Sequence, residues 1–453
     1  MVFSEKNLAG KKITILGMKK SGYYAALLAS KFGATIFISD SGKDKIVKHH
    51  YEELNKIGIK CEMGGHTNNI FSSDLWIISP GIPKTANIVK KAKKLKIPII
   101  SEIEFASQFT TLPIIAVTGS NGKSTTVSII NEMLKTKDWK PILAGNIGNS
   151  FSKSIIDLLN VNSIGNIFIL EISSFQLEFI DQFHPHISIY LNISPDHLDR
   201  HKNMDEYLNM KLNMIKNVNE NDYIIYNSDD EILKTSFHNS HAKKIPYSLS
   251  GENKFFSLNK TKLYDENHNT LITFDKILLR GKHNLSNYIA SATAAKILRI
   301  KNDKIKKTME QFSGIKHRLQ FLKNINGSAY INDSKATNIS SVIAAINSFN
   351  SPIILLLGGK NKDSDFRLLL PHTKRHVKHI VSFGEAGGEI AAAIGDAVRL
   401  NMVSSLNQAV ASAHKIASPG DIVLMSPGCA SFDEFKNFED RGENFIKMVN
   451  TLK

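Results

Sequence analysis

The sequence predicts an α/β fold with largely parallel sheets, arranged as three domains. Three observations carry this. Short apolar, β-branched runs alternate with helical segments along the whole chain. Most of these runs are continuously hydrophobic, as strands covered by helices on both faces must be. The length, 453 residues, exceeds what one core normally holds and corresponds to about three domains at roughly 150 residues each.

Taken in order, the first section (1–105) opens as strand, glycine turn, helix, strand, acid in ITILGMKKSGYYAALLASKFGATIFISD. This is a Rossmann-like beginning, with strands at Ile13–Gly17, Thr35–Asp40 and later Leu75–Ser79. The second section (106–314) is expected to start a new core after the small turn Thr110–Leu112. Its strands are read at Ile114–Thr118, Ile167–Ile172 and Ile187–Ile193. Within it, Ser248–Lys276 is polar and weakly patterned and reads as a few exposed antiparallel strands. The third section (315–453) carries strands at Ile353–Leu357, Ile380–Phe383 and Ile422–Met425, again Rossmann-like. No short-period repeat or low-complexity tract interrupts the pattern.

Composition removes several classes of function. The two cysteines, Cys61 and Cys429, lie far apart and exclude a disulfide framework or a cysteine zinc cluster. No apolar run reaches the roughly 18 residues of a membrane span, and MVFSEKNLAGKK shows no signal-peptide pattern. A cytoplasmic setting is expected. The net charge of +15 raises nucleic acid, an anionic membrane or a small polyanion as partner. Of that excess, +8 lies in residues 1–105, much of it on Lys90, Lys91, Lys93, Lys94 and Lys96, spread around one helix. Only 8 of the 57 basic residues are arginine, whereas a nucleic-acid reader would use more. The charge therefore reads mostly as a lysine-rich solvated surface, with neither nucleic acid nor membrane as partner.

The strongest local signal is IIAVTGSNGKST. A buried strand runs into Gly119-Ser120-Asn121-Gly122-Lys123-Ser124-Thr125 and then a helix. Glycines let backbone N–H groups close around phosphate oxygens, the helix N-terminus adds positive potential, Lys123 adds a charge, and the Ser124 hydroxyl suits Mg²⁺. The spacing is tighter than G-x-x-x-x-G-K-[ST], since position 117 is Val. A chance turn before a helix is the ordinary alternative, and the strand–turn–helix context argues against it.

Three more residues suit phosphoryl chemistry. Glu171 ends the apolar run IFILE, where a parallel strand meets the ligand crevice and a carboxylate can hold Mg²⁺. A surface acid at a strand end is its plain explanation. His197, in LNISPDHLDRH, follows another buried strand and suits a metal or phosphate, against simple helix capping by its neighbours. Lys211 shares a helical stripe with Met204, Leu208, Leu212 and Ile215. A lysine there needs a partner or a modification unless it snorkels to the surface.

These stretches carry a resemblance. TGSNGKST, LEISSFQLE, NISPDHLDRH, GKHNLSNYIASA, IKHRLQF and INDSKATN occur in the order found in the Mur ligases, the three-domain ATP-dependent amide ligases of peptidoglycan synthesis. SSFQLE, INDSKATN and SPGCASFDEFKNFEDRGE resemble the branch that adds D-glutamate to UDP-N-acetylmuramoyl-L-alanine. The resemblance runs from about Ile13 to the C-terminus. Another ligase of the superfamily, such as a folylpolyglutamate synthase, is the nearest alternative.

The resemblance implies roles by position. Gly119–Thr125 would hold the ATP phosphates, with Lys123 on the phosphates and Ser124 on Mg²⁺. Glu171 and His197 would ligate magnesium, and Lys211 would be carbamylated and serve a second magnesium site. Lys123, His197 and Lys211 would be the catalytic residues. Asn287, Arg318 and Asp333 would contact the nucleotide. Lys335, Thr337, Lys362, Ser431 and Phe438 would form the D-glutamate pocket, where two lysines and two hydroxyls suit a dicarboxylate. Ser21, Asp40, Ser41, Gly81, Asn146 and His197 would bind the UDP substrate. In Gly17-Met18-Lys19-Lys20-Ser21-Gly22 the middle glycine of a dinucleotide turn is Lys19, a side chain where a pyrophosphate would approach. The third section would close on the second, and a monomer is expected.

Overall fold

The computed structural model describes residues 7–195, 200–251, 254–279, 281–361 and 364–452. It forms two compact units, Met1–Phe312 and Ser313–Lys453. Each expected strand is present, with ends shifted by at most three residues.

The first unit holds two parallel sheets. One has the strand order Lys60–Met63, Thr35–Asp40, Lys12–Leu16, Leu75–Ile78, Ile99–Ser101. The chain starts at its centre and winds first to one side and then to the other, which opens a crevice at the C-terminal ends of the middle strands. The other sheet has the order Lys243–Tyr247, Tyr223–Asn227, Ile187–Tyr190, Ile114–Thr118, Asn166–Glu171, Lys140–Gly145. Ile114–Thr118 lies inside it and is buried at every residue, which explains its unbroken apolar run.

Two expectations need correction. The second section does not start a new core: one apolar cluster holds Ile15, Ile38 and Phe105 together with Ala116, Phe151, Phe168 and Leu170. The helices Lys20–Lys31 and Glu102–Ser107 both pack against Phe151–Leu158, so the two sheets share their filling. Ser248–Lys276 does form antiparallel strands, at Phe256–Leu258, Lys262–Asp265 and Thr270–Thr273. They are not simply exposed, because Phe256, Leu263, Leu271 and Ile272 are buried.

The second unit has the order Gln320–Ile325, Ser328–Asn332, Ile422–Gly428, Ile353–Gly358, Val377–Phe383, Leu400–Met402. The first pair is an antiparallel hairpin added to an otherwise parallel sheet. Its turn places Asn326 and Gly327 both at positive φ, as a tight hairpin requires. Among the described residues no helix is long and apolar enough to cross a membrane.

One buried carboxylate braces the first unit. Glu104 is fully buried and accepts the backbone N–H groups of Asp181, Gln182 and Phe183 at 2.9–3.0 Å. It joins the end of the first sheet to the loop before Ile187–Tyr190. Glu104→Ala would leave buried donors unsatisfied at about 1–3 kcal/mol each. We expect urea unfolding of this unit to lose about 3 kcal/mol or more, followed by tryptophan fluorescence, since Trp76 and Trp139 both lie in it. Unchanged stability would show that these donors find other partners.

Candidate active site

The phosphate loop follows directly from the pairing of its strand. Thr118 ends beside Tyr190 and Val117 lies beside Glu171 in the parallel register. Beyond the strand, Ser120 N donates to Asn192 O, and Asn121 and Asn192 exchange backbone and side-chain hydrogen bonds at 2.8 and 3.1 Å. Ser120 Oγ donates to Ser194 O and accepts Ser194 N, both at 2.9 Å. The two glycines are required. Gly119 sits at φ +152 against Leu191 and Asn192, and Gly122 sits at φ +85, where a Cβ would collide with Asn287 Oδ1. Asn287 is thereby placed against the loop, on the helix Lys282–Ile297.

Two ammonium groups converge on this loop. Lys123 Nζ donates to Gly119 O at 2.7 Å and to Ser120 O at 2.8 Å. Lys211 Nζ donates to the same Gly119 O at 3.0 Å and reaches Thr118 Oγ1 at 3.5 Å. Lys211 is 1% exposed and lies 4.5 Å from the centre of the Tyr207 ring. The alternative, snorkelling to the surface, does not occur.

Glu171 stands one strand away. Its Oε1 accepts Asn146 Nδ2 at 2.8 Å, while Oε2 is buried with no hydrogen-bond partner. Ser124, buried in the first turn of the helix, supplies a hydroxyl at the loop. An orphaned carboxylate oxygen and a hydroxyl form an oxygen donor set that fits Mg²⁺. His197 lies outside the described residues, as does Lys362. Among the described residues no three His, Cys, Asp or Glu side chains cluster as a metal site.

The first sheet carries a separate cleft of about 690 Å³, lined in part by Ser21, Asp40, Ser41, Gly81 and His66. Asn146 does not line it and sits instead on Glu171. Gly17, at φ +93, lets the turn approach Ser79 Oγ closely, and Gly22 packs on Gly17 O. Asp40 pins this turn by accepting Met18 N at 2.6 Å and Gly42 N at 2.7 Å. Lys19 extends along the surface to Asp44 at 2.8 Å. Lys20, also exposed, lines the cleft and donates to Gly148 O. Desolvation of its ammonium group lowers its pKa, with the Glu102 charge opposing.

In the second unit, Arg318, Asp333 and Lys335 line one cleft of about 370 Å³. Thr337, Ser431 and Phe438 do not line it. Ser431 is buried just beyond Ile422–Gly428, and Phe438 O accepts the Ser334 hydroxyl at 2.8 Å.

Three family models match in chain order: a MurD N-terminal domain over residues 12–88, a Mur ligase middle domain over 117–295, and the glutamate ligase domain of Mur ligases over 317–429. A Christiangramia forsetii protein named UDP-N-acetylmuramoylalanine--D-glutamate ligase is 39% identical, covering 98% of this chain and 100% of the relative. The chain belongs to the Mur ligase family. A Geobacillus relative of the same name is 37% identical, covering 98% of both chains. Solved Mur ligases share the fold at low identity. MurF from Acinetobacter baumannii has a TM-score of 0.56 at 16% identity, over 92% of this chain and 91% of that one. UDP-N-acetylmuramate-alanine ligase MurC from Thermotoga maritima has 0.53 at 15%, over 97% and 99%.

This Mur ligase also uses residues that its sequence does not flag. Arg200 donates to the carbonyls of Pro80, Gly81 and Ile82 and pairs with Glu178 at 2.7 Å, which fixes the wall of the first cleft. Arg441, fully buried, donates to Ser334, Cys429 and Ala430 and so gathers the loops that carry Lys335 and Ser431. Burial depresses its pKa to about 10. Both lie within stretches that carry the resemblance, NISPDHLDRH and SPGCASFDEFKNFEDRGE, where neither residue type nor spacing singles them out.

Burial raises the Asp333 carboxyl to about 6, against donations from Ser426 and Leu319 and the charge of Arg318. The folded chain therefore holds this proton more tightly than the unfolded chain, whose carboxyl titrates near 3.9. The stability it contributes is complete below about pH 4 and is lost as pH rises through about 6. The full difference is about 3 kcal/mol. Asp333→Asn cannot ionise. We expect its stability relative to the wild type to rise between pH 4 and 6.5 in chemical unfolding of the second unit. A pH-independent difference would refute the shift.

Proposed function

We propose that the protein joins D-glutamate to UDP-N-acetylmuramoyl-L-alanine at the expense of ATP, in cytoplasmic peptidoglycan-precursor synthesis. It is an ATP-dependent ligase of the Mur family. The observation that carries phosphoryl transfer is the loop at Gly119, with two ammonium groups on one carbonyl and the Glu171 carboxylate in register beside it. The full-length relatives named for D-glutamate favour that amino acid over a folate-type substrate.

The chemistry runs in two steps. The substrate carboxylate attacks the γ-phosphorus of ATP, the bond to the ADP oxygen breaks, and an acyl phosphate forms. The D-glutamate amine then adds to the acyl carbon. The tetrahedral intermediate expels phosphate and the amine proton is lost. Lys123 exchanges its loop carbonyls for phosphate oxygens and offsets their charge. Gly119–Gly122 present backbone N–H groups, and Ser124 and Glu171 hold Mg²⁺, with His197 as a further ligand. Mg²⁺ supplies Lewis-acid polarisation of the phosphoryl oxygens when bound. Lys211, as a carbamate, replaces a buried cation with an oxygen ligand for a second metal.

Asn287, Arg318 and Asp333 bind the nucleotide. Ser21, Asp40, Ser41 and Gly81 bind the uridine diphosphate part, with Asn146 and His197 reaching the same substrate from the phosphate-loop side, where Asn146 holds Glu171. Lys335, Thr337, Lys362, Ser431 and Phe438 receive D-glutamate. The three functions centre on 1–105, 106–314 and 315–453, with Arg318 and Asp333 of the last section also reaching the nucleotide, and the protein acts as a monomer without nucleic acid or membrane.

Phosphate release should require UDP-N-acetylmuramoyl-L-alanine and D-glutamate together. Equal turnover with L-lysine, meso-diaminopimelate or L-alanine would reassign the enzyme within its family. Lys211→Ala should lose at least about 100-fold in kcat and recover in part with a small carboxylate such as formate. Wild-type turnover in that variant would remove the carbamate from the mechanism.

A further inference from the structure

A nine-residue helix, Met204–Leu212, links the wall of the first cleft to the phosphate loop. The wall is Pro80-Gly81-Ile82-Pro83, and all four residues line the cleft. Its two prolines fix φ at both ends of the stretch, so it behaves as a stiff piece. Arg200 clamps this wall from a position ahead of the helix. Lys84, the next residue along, reaches the helix itself: its Nζ lies 2.5 Å from Glu206 Oε1. Glu206 Oε2 accepts Lys202 N at 2.8 Å, and Asn203 caps the same turn by accepting Glu206 N at 2.9 Å. The Lys84 and Glu206 side chains are only 31% and 19% exposed, so salt screens this pair less than an open surface pair. The hydrogen bond from Lys84 leads the interactions that hold the Glu206 carboxyl below its usual range.

The same helix holds the loop. Tyr207 is buried, and its hydroxyl lies 3.1 Å from Ser120 Oγ. Ser120 gives its one proton to Ser194 O, so Tyr207 is the donor in that contact. One turn later Lys211 covers the Tyr207 ring and donates to Gly119 O at 3.0 Å. Gly119 and Ser120 therefore take their positions from a helix whose first turn is tied to the cleft wall. At 1.5 Å per residue that helix is about 13 Å long, a short rigid element between two sites. Ligands that favour the same placement of such an element bind cooperatively, because the first has already ordered what the second needs.

We propose that this helix couples the two sites through the Lys84–Glu206 pair, so that a uridine nucleotide in the first cleft strengthens nucleotide binding at the phosphate loop. Lys84 and Glu206 are positioning residues, and Lys84 does not itself line the cleft. Their role rests on the reading of the first cleft as the uridine diphosphate site and of the loop as the ATP site.

The test titrates ADP with Mg²⁺ into the full chain by calorimetry, alone and with saturating UDP, and then UDP with and without ADP. In the wild type UDP should tighten ADP at least about fivefold, and ADP should tighten UDP by the same factor, as linkage requires. Lys84→Met and Glu206→Gln should each bring the factor below about twofold, while each ligand alone binds within about twofold of wild type. Lys84→Arg, which keeps the charge, should retain most of the factor. Binding of the single ligands identifies folded variants. A wild-type factor near one, or an unchanged factor in Lys84→Met and Glu206→Gln, would overturn the coupling while leaving both sites in place. Loss of one ligand's affinity with the factor unchanged would do the same, since it marks a purely local role for the pair. Absence of UDP binding by the wild type would instead overturn the uridine reading of the cleft.

Discussion

The parallel pairing of Ile114–Thr118 between Asn166–Glu171 and Ile187–Tyr190 is the constraint on which the catalytic arrangement depends. Parallel strands end on the same edge of a sheet. Register then decides which residues meet there. Glu171 arrives beside Val117, and the pairing of Ile114–Thr118 with Ile187–Tyr190 continues past the strands as Leu191 N to Thr118 O and Ser120 N to Asn192 O. A shift of one residue would send Glu171 to the opposite face and leave the loop without its carboxylate. The complete burial of Ile114–Thr118 makes such a shift expensive, since each buried aliphatic side chain is worth roughly 1.5–3 kcal/mol.

The other two parallel sheets repeat the device with different anchors. In the first, Asp40 at a strand end accepts two backbone N–H groups and locks the glycine turn. In the second unit, Asp333 follows its strand and accepts Leu319 N and the Ser426 hydroxyl. Each cleft is thus shaped by an acidic group that bonds the protein through both of its oxygens. Glu171 differs, because one of its oxygens remains unused in a buried position. That difference separates a carboxylate that supports a site from one that is ready to bind a cation.

What was legible in the sequence was local. Continuous apolar runs located the strands because both faces are covered, and the glycine loop announced itself through neighbours in sequence. The hairpin at Gln320–Asn332 was not read, because its strands mix polar and apolar residues at a sheet edge. The shared core of the first unit was also invisible, since a turn at Thr110–Leu112 looks the same whether or not the flanking cores merge. Glu104, Arg200 and Arg441 escaped for one reason: their partners are mostly backbone groups 77 to 79, 118 to 120, or 11 to 107 residues away. Backbone partners leave no residue-type signature. Lys19 and Lys20 show the finer limit, as adjacent exposed lysines that take different partners, the Asp44 carboxylate and the Gly148 carbonyl.

The grip of Arg200 on the carbonyls of Pro80, Gly81 and Ile82 has a consequence for how this enzyme can vary. A carbonyl oxygen is present whatever the side chain. Point substitutions that keep the backbone path at these three positions therefore leave the clamp intact, and the wall they form is open to chemical change. A change in the number of residues is different, because it moves every oxygen out of the guanidinium's reach. The segment is tolerant in composition and strict in length, a division useful to anyone reshaping the pocket by mutation.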